Sequence, residues 1–113
     1  MLAGWLLGTL GLGLMLAAQA DLGASFRVGQ DERAAPPRLV TTGLHARSRH
    51  PVYLGSLLYL AALTGWAPCP LAIAALLTIT GLLHALAVTE EAHLARAHGS
   101  AWQSYAARTR RYV

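Results

Sequence analysis

The sequence predicts an all-α integral membrane protein: about three transmembrane helices, two of them forming a hairpin, followed by a C-terminal interfacial helix. Three observations lead there. Hydrophobic residues make up 55% of the 113-residue chain and charged residues only 12%, against about a quarter charged in ordinary soluble domains. A chain this short has too little interior to hide so much apolar side chain from water. The charges are also segregated, with no Asp, Glu, Lys or Arg before Asp21 or between Arg49 and Glu90.

The first helix is expected over residues 1–20, where "LAGWLLGTLGLGLMLAAQA" carries no charge. Its length suits a hydrocarbon core of about 30 Å at about 1.5 Å per helical residue. Gly4 and Gly8 form a small-xxx-small pair that lets membrane helices approach closely. A rival reading takes "AAQA" before Asp21 as a signal-peptidase site. Against it, no Lys or Arg lies near Met1 and the run exceeds an ordinary signal-peptide core, so a retained helix is preferred.

Residues 21–50 read as a cytoplasmic loop, broken by Gly23, Gly29, Pro36, Pro37 and Gly43, with short ordered pieces. Residues 51–89 hold two apolar runs, 51–67 and 71–89, divided by "PCP" at 68–70. Pro68 and Pro70 remove backbone donors and disfavour helix just before them, so a tight turn between antiparallel helices is predicted. The first of these runs is at the lower limit for spanning. Residues 90–113 favour helix. Ala92, Leu94, Ala95, Trp102, Tyr105 and Ala106 form an apolar stripe broken at Gly99, as expected of a helix that leaves the membrane and lies along its surface.

All nine basic residues are Arg. They fall between positions 27 and 49 and between 96 and 111, which places both segments in the cytoplasm and the N-terminus outside. The net charge of +4, flanking apolar runs, fits anionic headgroups; the lipid bilayer is the expected partner and nucleic acid is not. Cys69 stands alone, which excludes a disulfide framework and a multi-cysteine zinc site. His93 and His98 miss the i,i+4 face of a helical ligand pair, so no metal is expected.

One constellation carries chemistry. In "TTG" at 41–43, Gly43 permits a tight turn. In "RSRHPVY" at 47–53, Arg47 and Arg49 offer forked donors for a carboxylate or phosphate. His50 stands just before Pro51, a favoured first-turn residue, and Tyr53 lies one turn on. A hairpin over 51–89 makes its two inner ends neighbours and sets His50 beside Glu90 and Glu91. Taken singly, each charge is an ordinary helix-end anchor; jointly they close a polar site. His84, inside the apolar run, is expected to bond to a neighbouring segment or line the cavity.

The segments "RLVTTGLHARSRHPVYLG" and "EEAHLARAHGSAWQSYAARTRRYV" resemble the isoprenylcysteine carboxyl methyltransferase family, part of a wider group that includes phospholipid N-methyltransferases. The likeness runs from about residue 23 to the end and rests on the RHPxYxG and EExxLxxxxG pieces in this order. It implies a multi-pass membrane enzyme that uses S-adenosylmethionine, bound on the cytoplasmic side. The acceptor would be lipophilic or membrane-delivered: a carboxylate, thiol or amine. By the same resemblance, cofactor contacts fall on Arg38, Leu39, Val40, His50, Pro51, Tyr53 and Glu90, with Glu91 beside it. Arg38 or Arg49 is expected to pair with the cofactor carboxylate. His45 stands where the eukaryotic enzymes carry a tyrosine, and Leu86 where they carry a substrate-side arginine. Methyl transfer is therefore implied more firmly than carboxyl methylation of prenylated cysteine. His45 is the candidate base if the acceptor must lose a proton. The alternatives are an NADPH-dependent membrane reductase related to sterol reductases, and a non-catalytic membrane protein.

Overall fold

The computed structural model describes residues 2–22 and 39–113. They form four α-helices: α1 (Leu2–Leu22), α2 (Pro51–Trp66), α3 (Pro70–His98) and α4 (Ser100–Arg108). A single 3₁₀ turn, Gly43–Ala46, precedes α2. Among the expected site residues, Arg38 lies outside the described residues.

The principal helix–helix interface is α1 against α2, rather than the hairpin pair α2 and α3. The reason is residue size. Gly4, Gly8, Gly11 and Ala18 are the buried residues of α1; Gly4 meets Trp66, Gly8 meets Ala62 and Gly11 meets Gly55 on α2. At the crossing the backbones touch: a Cβ on Gly55 would lie 2.6 Å from the carbonyl oxygen of Gly11 and 2.7 Å from the amide nitrogen of Met15. The seam is thus longer than the Gly4–Gly8 pair alone, and Trp5 and Trp66 close its far end with ring centroids 4.6 Å apart.

Helix α2 starts on Pro51 at its first turn and ends at Trp66, before Pro68. Cys69 then caps α3, its sulfur accepting from Ala72 N at 3.4 Å. With 29 residues, α3 is about 44 Å long and runs unbroken past Glu90, as expected of a helix that continues beyond the apolar run. Its break comes at Gly99, which takes φ +55°. Helices α1 and α3 are long and apolar enough to cross a membrane, whereas α2, at 16 residues, is shorter.

Only 6% of the most apolar stretch of α3 is buried, and Leu71, Leu77 and Leu82 are exposed. A core helix of a soluble protein would be covered; this one leaves its apolar side chains uncovered by the described residues, as suits a helix that crosses a membrane. Helix α4 behaves differently. Its stripe residues Trp102 and Tyr105 are buried, and the Tyr105 hydroxyl donates to the His45 carbonyl at 2.6 Å. The stripe expected to face the membrane surface instead covers the loop before α2, because that loop leaves carbonyls in need of a donor.

Candidate functional site

Three segments meet at the polar end of α2 and α3. The first is the loop 39–50. Its 3₁₀ turn begins at Gly43, held at φ +63°, and is pinned by Leu44 N donating to Asp21 Oδ2 at 3.0 Å. The second is Glu90–Glu91 on α3. The third is the tail after α4, which returns beside the loop: Arg49 N donates to Arg110 O at 2.9 Å and His50 N to Arg111 O at 3.2 Å.

Glu91 is the hub. Its side chain is 10% exposed and accepts from Arg49 Nη1, from Arg111 Nε at 2.7 Å, and lies 3.3 Å from His50 Nε2. Two guanidinium groups thus converge on one carboxylate in charge-assisted hydrogen bonds. Glu90, one residue earlier, points elsewhere and accepts from the Tyr53 hydroxyl at 2.5 Å. Its other oxygen lies 3.9 Å from His50 Nδ1. The His50 and Tyr53 rings are parallel within 2°, with centroids 5.4 Å apart.

Burial sets the protonation states. It lowers His50 below its ordinary 6.5, with the Glu91 carboxylate pulling the other way, so the imidazole is neutral at physiological pH. Burial raises the Glu90 carboxyl above 4.5; the Tyr53 hydrogen bond opposes the rise and the Glu91 charge adds to it. The Tyr105 hydroxyl, enclosed between α4 and the loop, is pushed up to about 12, chiefly by burial.

Of the expected residues, the structure brings Arg49, His50, Pro51, Tyr53, Glu90 and Glu91 together. Leu39 and Val40 enter the same loop, with Val40 buried, but they take no part in the polar network. His45 does not join the glutamates either. Its ring is buried with Nδ1 unpartnered among the described residues, its pKa is lowered by burial, and the charge that opposes this is Asp21. Its expected role as base has no support in this geometry.

Sequence reasoning missed the tail. Arg111 completes the Glu91 cluster, and Tyr112 sits between two histidines, 6.2 Å from the ring of each. The Tyr112 hydroxyl is 3.0 Å from His84 Nδ1. Arg49 stacks 5.9 Å from the Trp102 ring, and its Nε is a buried donor with no partner among the described residues.

The family described as phospholipid methyltransferase matches residues 1–101 of the chain. No curated protein matches it.

Proposed function

The chain belongs to the phospholipid methyltransferase family, and from that premise we propose that it is an integral membrane methyltransferase dependent on S-adenosylmethionine. In this reading α1, α2 and α3 all cross the bilayer, with the N-terminus outside and the polar end facing the cytoplasm. The acceptor is lipophilic or membrane-delivered and reaches the site from lipid. The observation that carries the reading is the joining of Tyr53 at the start of α2 to Glu90 on α3.

The residues present fit the cofactor's chemistry. Glu90 spends one oxygen on Tyr53 and keeps acceptor capacity for a ribose hydroxyl or an ammonium. The parallel His50–Tyr53 pair offers an aromatic surface for a purine. When bound, S-adenosylmethionine supplies a methyl group activated by a sulfonium. The protein's part is placement: held in a near-attack geometry, an acceptor gains on the order of 7–11 kcal/mol in favourable cases. Glu91 serves this by fixing Arg49 and His50, since its own oxygens are already engaged.

The test is titration of the purified protein in detergent with S-adenosylhomocysteine and, separately, with NADPH. S-adenosylhomocysteine is expected to bind, and Glu90→Gln to weaken it about tenfold or more, as for loss of a hydrogen bond to a charged group. Binding of NADPH alone would replace this reading with the reductase, and binding of neither with a non-catalytic role.

A further inference from the structure

Tyr112 and His84 form a polar pair away from the contacts that tie the tail to the loop. The tail is already fixed by Arg49 N and His50 N on its carbonyls, by Ser48 Oγ on Arg111 O at 3.3 Å, and by Arg111 on Glu91. His84 lies two turns before Glu91 on the same face of α3, about 10 Å further toward the apolar half. It is exposed, so in a bilayer it faces lipid, where an ionisable side chain is costly and marks function. The tail carries Tyr112 to it across 28 positions of sequence, and Tyr112 lies beyond the residues that match the family.

We propose that His84, oriented by Tyr112, receives the head group of the methyl acceptor from the lipid side and takes its proton. This rests on the methyltransferase reading and narrows its acceptor to one presenting an N–H, O–H or S–H group; an ionised carboxylate needs no base. The hydrogen bond allows two tautomers. With the proton on Nδ1, His84 donates to the Tyr112 oxygen and Nε2 keeps the lone pair. The acceptor's lone pair then takes the methyl group from sulfur, which retains the pair of the broken bond, and the X–H proton passes to Nε2. The Tyr112 ring, 6.2 Å from both His50 and His84, sets this acceptor side next to the Glu90 side. Tyr112 is a positioning residue and His84 the catalytic one.

The experiment uses the full chain, labelled with ¹⁵N-histidine, in phosphatidylcholine nanodiscs, with dodecylamine as probe and dodecane as control. His84 signals are assigned by loss in His84→Gln. Dodecylamine is expected to shift Nε2 of His84 saturably while dodecane does not. Tyr112→Phe should raise the half-saturating concentration about five- to tenfold, as for one lost hydrogen bond, and alter S-adenosylhomocysteine affinity by less than about twofold. An unmoved His84 signal, or one moved equally by dodecane, overturns the proposal. So does a Tyr112→Phe protein that loses S-adenosylhomocysteine affinity while dodecylamine binding stays unchanged, because Tyr112 then only straps the tail. If the wild-type chain binds no S-adenosylhomocysteine, the methyltransferase reading fails separately, and the dodecylamine response still decides the pair.

Discussion

Replacing Glu91 with alanine tests the hub directly. The Glu91 side chain is 10% exposed, Arg49 17% and Arg111 39%. Removing one partner of a buried pair strands the other charge and costs about 3–5 kcal/mol. Here the stranded charge is Arg49, which cannot turn to water without leaving its place against Trp102. Arg111 is exposed enough to rehydrate, so its bond is worth about 0–1 kcal/mol, the range of surface pairs. Arg49→Ala leaves Glu91 still paired with Arg111 and falls between, at about 1–3 kcal/mol. The expected order of destabilisation is therefore Glu91→Ala, then Arg49→Ala, then Arg111→Ala. Reversible unfolding in mixed detergent and dodecyl sulfate micelles, followed by circular dichroism, measures all three. The reasoning fails if Arg111→Ala costs as much as Glu91→Ala, or if Glu91→Ala costs under about 1 kcal/mol.

The glycine seam makes a second prediction in the same assay: Gly55→Ala should destabilise by about 1–3 kcal/mol through overpacking, whereas Gly13→Ala, with nothing within 4 Å, should be neutral or slightly stabilising. An equal effect at the two positions would discard close backbone contact as the tie between α1 and α2. The third concerns pH. Burial lowers His45 and His50 below 6.5 in the folded protein, so the unfolded chain binds protons that the folded one refuses. Their contribution is complete above 6.5 and is lost as pH falls through 6.5 toward the folded values. Glu90, raised above 4.5, acts with the opposite sign: it penalises the folded state at high pH and the penalty lifts as pH falls toward 4.5. His50→Gln should accordingly flatten the loss of stability on acidification below 6.5; an unchanged slope would mean that burial does not hold His50 neutral.

Much of the site was legible because it depends on chain reversal alone. The uncharged stretch from Pro51 to Thr89 contains a proline turn, and any antiparallel arrangement of its halves returns Glu90 to Tyr53. The division of labour between Glu90 and Glu91 was not legible. Neighbours on a helix point about 100° apart, and which one meets Arg49 depends on the rotation of α3, which the sequence pattern leaves open. The tail was hidden for another reason. "RTRRYV" reads as a solvated basic end, and its pairing with residues 48–50 is a non-local backbone contact with no periodicity to announce it. Trp102 and Tyr105 show the same limit. An aromatic stripe signals a buried face, but burial against lipid and burial against loop carbonyls look alike until the loop is placed. The choice of α1 as the main partner of α2 was partly written in Gly4 and Gly8, although Gly11 and Gly55 make the closest approach.

The way α3 is held has a consequence for how this protein can change over time. Helices α1 and α2 are locked along a shared glycine track, while α3 is tethered by a short turn at one end and by Glu90 and Glu91 at the other. The carboxylates that hold the third helix in place are the ones that gather Arg49, His50, Tyr53 and Arg111 into one polar cluster. A substitution there loosens the scaffold and the polar cluster in one stroke, so the two cannot drift apart. Novelty in such a chain has most room around Leu71, Leu77 and Leu82 of α3, which the described residues leave exposed.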